Sequence, residues 1–157
     1  EQGPKRTVRF LQNHPRILES VYLLSAKILG LFRSRLKPGS RFERLLIPAE
    51  RLTKGAVFDC RMCGQCVLHS TGMTCPMTCP KNLRNGPCGG VRPNGHCEVV
   101  PEMPCVWVQA WERSRKMPRF GSEILHVLPP LSYDRQGSSA WVNHFSEGEK
   151  AGPHWKR

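Results

Sequence analysis

Eight cysteines, Cys60, Cys63, Cys66, Cys75, Cys79, Cys88, Cys97 and Cys105, lie in one stretch of a 157-residue chain. Thiolate ligation of metal is the chemistry that such a set can perform together. The first three form a Cys-x2-Cys-x2-Cys array, awkward for three separate disulfides and natural for one face of a metal cluster. The span from Cys60 to Cys105 also holds six glycines, six prolines and no Phe, Tyr or Trp. It has too little apolar surface to offset the entropy of ordering its backbone, so ligation is expected to fold it. Eight thiolates supply two four-coordinate sites, and their spacing does not say which four go together. Cys60, Cys63 and Cys66 can be completed by Cys79, or by a long-range return to Cys105.

The residues between the cysteines suit this chemistry. Cys75 and Cys79 are each followed by Pro, whose fixed φ and missing N–H help shape a loop around a cluster. Gly64, Gly72, Gly86, Gly89, Gly90 and Gly95 let backbone approach inorganic sulfur and donate to it. His69 and His96 stand close by in sequence, where a structural or exposed role is expected for each and replacement of a thiolate is the alternative.

The elements that must position this stretch are sparse. Ile17, Val21, Leu24, Ile28 and Leu31 recur at helical spacing, broadened by Leu18, Tyr22, Leu29 and Phe32. Pro15 suits a first turn and Pro38-Gly39 a stop, so an amphipathic helix is predicted over about 15–35. It packs on its own domain or docks on a partner subunit, with association at a membrane surface as the third reading. Pro48 to Arg51 predicts a short helical turn, and Val57-Phe58 a small apolar anchor under the first site. Asn94-Gly95 predicts a tight turn linking two short strands. A second helix is predicted from Pro104, with Trp107 and Trp111 packing against the metal core. From Met117 onward the pattern is loop-like, with scattered apolar residues suited to wrapping another surface. The expected fold is therefore a small, irregular, metal-organised α+β unit with an N-terminal helix and an extended C-terminal tail. Its divisions are a basic arm with a docking helix over 1–54, the Cys-rich domain over 55–117 and the tail over 118–157.

The formal charge of +12 resides mainly in the arm, where residues 1–59 carry twelve Lys and Arg against five Asp and Glu. Residues 60–105 carry four against two, and coordinated thiolates would make that segment neutral or acidic. A partner with an acidic surface fits this distribution. Nucleic acid fits poorly, because the cysteine stretch has no aromatics interleaved with Arg61, Lys81, Arg84 and Arg92. No apolar run spans a membrane. The N-terminus lacks a secretory pattern, so a cytoplasmic, reducing location is expected, where disulfides are disfavoured.

The runs Cys63-Gly64-Gln65-Cys66-Val67-Leu68, Cys75-Pro76-Met77-Thr78-Cys79-Pro80-Lys81, Leu83-Arg84-Asn85-Gly86-Pro87-Cys88-Gly89-Gly90, Gly95-His96-Cys97-Glu98-Val99 and Cys105-Val106-Trp107 resemble the methylenetetrahydrofolate reductase C-terminal family. The resemblance covers about residues 55–115. It implies a MetV-like, cysteine-rich small subunit partnering a flavin-dependent, MetF-like catalytic subunit in one-carbon folate metabolism. It also implies one or two [4Fe–4S] clusters, with zinc as the alternative for the second site, and flavin on the partner only. The chain itself has no phosphate-cradling Gly loop and no carboxylate placed as a general acid, so it is not expected to be catalytic alone. The electron donor would be a further subunit or a pyridine-nucleotide site on the partner. A rival expectation is a purely structural zinc subunit that carries no electrons.

Overall fold

The structure, a computed structural model, describes residues 9–147. The start of the basic arm and the last part of the tail lie outside them. Five α-helices carry the fold among the described residues: α1 (Arg9–Gln12), α2 (Pro15–Leu31), α3 (Arg41–Phe58), α4 (Val106–Ser114) and α5 (Ala140–Glu147). Single 3-10 turns fill much of the remainder. The predicted first helix is α2, with Pro15 in its first turn, followed by a 3-10 turn at Arg33–Arg35. Its inner face presents Leu18, Glu19 and Tyr22. Ile17, Val21, Leu24, Ile28 and Leu31 face outward and are exposed.

α3 is longer than the short turn expected at Pro48 to Arg51. Ser40 caps it by accepting from Glu43 N–H at 3.1 Å, while the Glu43 carboxylate accepts from Gly39 N–H at 2.6 Å. That cap starts the helix well before Pro48, which is then absorbed inside it at the loss of one backbone bond. Asp59, at φ 52°, ends α3 and turns the chain into the cysteine stretch.

The expected α+β class is corrected by the absence of any strand among the described residues. One isolated bridge, His96 to Pro104, stands where two strands were predicted. The turn at Asn94-Gly95 does form, with Gly95 N–H donating to Arg92 C=O at 2.8 Å. Cys97 N–H then donates to Met103 C=O and Cys105 N–H to Gly95 C=O, each at 2.9 Å, which sets Cys97 beside Cys105. Pro93, Pro101 and Pro104 cannot donate, so the pairing stops there instead of extending into a ladder.

The apolar core is small. Leu68, Met73 and Met117 are buried, with Leu18, Tyr22, Phe58, Phe120, Cys66 and Cys75 packed on them. Buried carboxylates join the helices to the C-terminal segment. Glu19 accepts from Arg119 N–H at 3.0 Å and Phe120 N–H at 2.9 Å. Glu50 accepts from Ser139 Oγ–H, from Trp141 N–H at 3.2 Å and from Ala140 N–H at 3.3 Å, which places its charge on the N-terminus of α5. The stretch before α5 lies on the chain's own cysteine loop: Gly137 N–H reaches Met62 C=O at 2.8 Å and Ser132 N–H reaches Gln65 Oε1 at 2.9 Å. α5 itself, in the segment expected to be loop, starts because Ser139 Oγ accepts from Val142 N–H at 3.2 Å.

Candidate metal centre

The eight cysteines are free of disulfides and fall into two groups. Cys60, Cys63, Cys66 and Cys75 line one opening between the end of α3, the cysteine loop and the residues before α5. Cys79, Cys88, Cys97 and Cys105 line a second, beside the start of α4. Cys75 shares the first opening with Cys60, Cys63 and Cys66, whereas spacing left the fourth member open between possibilities such as Cys79 and Cys105. The 3-10 turn Leu68–Thr71 explains this. Gly72 follows it at φ 60°, and Met73 N–H closes back on Leu68 C=O at 2.8 Å, which returns the chain toward Cys66. A side chain at Gly72 would run into the α4 backbone, 2.8 Å from Ser114 N, so the turn tolerates only glycine.

At the first group, Met62 N–H donates to Cys60 Sγ at 3.4 Å and Cys63 Sγ–H to Gln65 C=O at 3.7 Å. Gly64, at φ 71°, packs so closely on the following segment that a Cβ would sit 2.6 Å from Ser138 Oγ. Burial, followed by the neighbouring Cys60, Cys66 and Cys63, pushes the Cys75 thiol up to about 12. Burial also raises Cys60, against the Met62 N–H that favours its thiolate. In a metal-free chain these groups hold their protons, and a cation is what would draw thiolates from them. Two cationic side chains wall the same opening, Lys54 from α3 and Arg84 from the loop after Cys79. Burial works against the Lys54 ammonium, yet Cys66 and Glu50 together hold its pKa above the ordinary value. Arg84 is 9% exposed; its Nε–H donates to Pro129 C=O at 2.9 Å and its Nη2–H to Gln65 C=O at 3.2 Å. Its Nη1 is buried with no partner among the described residues.

The second group is nearer the surface, and Cys88 is exposed. Lys81 and Glu98 pair there, with Cys88 Sγ 3.5 Å from Glu98 Oε1. Hydrogen bonds from Lys81 first, then from Cys88, hold the Glu98 carboxyl below the usual range. Trp107, buried on α4, lines this opening and donates from Nε1 to Leu83 C=O at 3.0 Å; Trp111 is 48% exposed. The two histidines stand apart from both openings. His69 stacks on Tyr22 at 5.3 Å, with Nε2 3.3 Å from Glu123, and His96 Nδ1 meets Pro101 C=O at 2.7 Å.

No three His, Cys, Asp or Glu side chains among the described residues are arranged to hold a single metal ion. A tetrahedral zinc site would draw four sulfurs to about 2.3 Å from one atom. The residues present offer a sulfur-bearing group four thiols on one wall, an N–H directed at Cys60 Sγ and a guanidinium nitrogen with no partner among the described residues. Lys54 and Glu50 had no part in the sequence analysis, and Arg84 figured there only as one of the basic groups of the cysteine stretch and within a family-like run. Only the Ser40-x-x-Glu43 cap, by lengthening α3, offered a clue to the first two.

Among the described residues, no helix is long and apolar enough to cross a membrane. A search of curated proteins and a search of solved structures each found no match. The family described as "Methylene-tetrahydrofolate reductase C terminal" matches residues 40–134, from the cap of α3 through both cysteine groups. The chain belongs to the methylene-tetrahydrofolate reductase C-terminal family.

Proposed function

We propose that this chain is the cluster-bearing accessory subunit of a flavin-dependent methylenetetrahydrofolate reductase, passing electrons to or from the flavin of the catalytic subunit. Cys60, Cys63, Cys66 and Cys75 would hold a [4Fe–4S] cluster, and Cys79, Cys88, Cys97 and Cys105 a second cluster or a zinc ion. The observation that carries this is the division of eight thiols into two groups of four around separate openings. A cluster held there supplies one-electron transfer at a potential set by N–H···S bonds and burial.

The chain's own residues prepare the site. Met62 N–H favours thiolate at Cys60, Lys54 and Arg84 offset the negative charge of four sulfurs, and Phe58, Leu68 and Met77 limit water on the inner wall. The exposed seam of Ile17, Val21, Leu24, Ile28 and Leu31 is the proposed docking face. Its alternating spacing of four and three residues matches a helix-pairing seam. Arg16 and Lys27 are exposed on the same helix and its one acid, Glu19, is buried. The occupant is accordingly a helix of the catalytic subunit with an apolar face and acidic flanks. Free thiols suit a reducing, cytoplasmic compartment.

Anaerobic purification of the native complex, with subunit identification and iron and zinc counts per chain, tests this. A flavoprotein partner and at least one reducible iron–sulfur signal are expected. Zinc in both sites with no reducible signal would replace electron transfer with a purely structural role.

A further inference from the structure

We infer that Arg84 is a positioning residue of the first cysteine group, its Nη1–H groups donating to sulfur of the group held there and favouring the reduced state. This rests on the cluster proposed for Cys60, Cys63, Cys66 and Cys75. A guanidinium cannot shed its charge, and an unmet buried donor is costly, so Nη1 calls for an anionic acceptor. None is present among the described residues, although Arg84 walls the opening that the four thiols share. Its other nitrogens are already committed, to Pro129 C=O and to the carbonyl of Gln65, which lies between Cys63 and Cys66.

The chain on either side of Arg84 is anchored as well. Trp107 donates to Leu83 C=O at 3.0 Å, and Asn85 exchanges bonds of 2.9 and 2.7 Å with the Leu128 backbone. Arg84 therefore meets the opening as a fixed cation rather than a swinging surface charge. Among the described residues the second group has no counterpart, because its cation Lys81 is exposed and tied to Glu98. An added electron raises the negative charge on sulfur, so a charge-assisted N–H···S bond strengthens on reduction. Losing it should disfavour reduction, while loss of a merely structural contact would leave the potential alone.

The test uses the full chain reconstituted anaerobically with iron and sulfide and titrated with dithionite under EPR. The first-site signal is identified as the one missing in Cys75→Ser. Arg84→Met should lower the reduction equilibrium constant of that signal by about tenfold or more, a shift of ~59 mV to more negative potential. Arg84→Lys should fall between, keeping charge and losing the fork. If neither variant folds, wild-type protein labelled with ¹⁵N-arginine decides, since the reduced first site should show a ¹⁵N hyperfine coupling. Unshifted potentials in folded variants, or no such coupling, would overturn the role of Arg84 alone. A wild-type chain that takes up no iron would overturn the cluster assignment and Arg84's role with it.

Discussion

Glu50 joins three parts of the molecule, and replacing it with Gln tests whether they depend on its charge. Its carboxylate accepts from Ser139 Oγ–H and from the N–H groups of Ala140 and Trp141, and it pairs with Lys54 at 2.8 Å. Glutamine keeps the shape and one acceptor oxygen, but sets an NH2 group against an N–H or the ammonium. Breaking a fully buried ion pair costs about 3–5 kcal/mol. The Lys54 side chain retains 12% exposure against 5% for Glu50, so the lower end applies. The anion at the α5 N-terminus is worth up to ~2 kcal/mol, part of it kept by the amide oxygen. A loss of about 3 kcal/mol follows. At a slope of about 2 kcal/mol per molar, the urea midpoint of the reconstituted chain should fall by about 1.5 M. Adding Lys54→Met should recover part of the loss, because the stranded ammonium goes too. A cost below about 1 kcal/mol, or no recovery in the double variant, would refute the assignment of Glu50 as the charged link between α3 and α5.

The remaining perturbations address the surface and the acid limit. Leu24 is 59% exposed on α2, so Leu24→Glu should change the chain's own stability by no more than about 0.5 kcal/mol. It should weaken the catalytic subunit's affinity by at least about tenfold in a binding titration, and unchanged affinity would place docking elsewhere. Burial lowers the pKa values of His69 and His144; Glu123 opposes this at His69, and Lys54 adds to it at His144. The unfolded chain then takes up protons near pH 6.5 more readily than the folded one. Stability should be complete above that and fall as pH drops toward the lowered folded values, by up to about 1.4 kcal/mol per pH unit for the more buried His69 and by less for His144, whose exposed ring is screened by solvent. Thermal melts between pH 5 and 8 should show this slope, reduced in His69→Gln; a flat profile would contradict it.

The cysteine array, α2, α4 and the family were legible because each rests on local spacing. α3 was not, since Pro48 advertises a helix boundary while the Ser40–Glu43 cap that overrides it lies a full two turns earlier. The strands around Asn94-Gly95 failed for the reverse reason: the turn residues were right, but three nearby prolines removed the donors that a ladder needs. Cys75 and Cys79 carry the same Cys-Pro signature, and the 3-10 turn Pro76–Thr78 between them carries the chain from the first opening to the second. Glu19, Glu50 and Arg84 read as ordinary solvated charges in one dimension. Their burial depends on chain segments 45 to 101 residues away that bring backbone partners to them. α2 packs Leu18 and Tyr22 inward, the first of the roles that its stripe allowed, and leaves Ile17, Val21, Leu24, Ile28 and Leu31 exposed among the described residues.

The most direct measurement is iron and zinc content with EPR on the anaerobically reconstituted wild-type chain, Cys75→Ser and Cys97→Ser. Two separate four-thiolate sites predict that Cys75→Ser loses a reducible signal and its iron while the metal at the second site stays. Cys97→Ser should do the reverse. A chain that binds neither metal, or one in which both substitutions deplete the same site, would contradict the division of the eight cysteines into two metal centres.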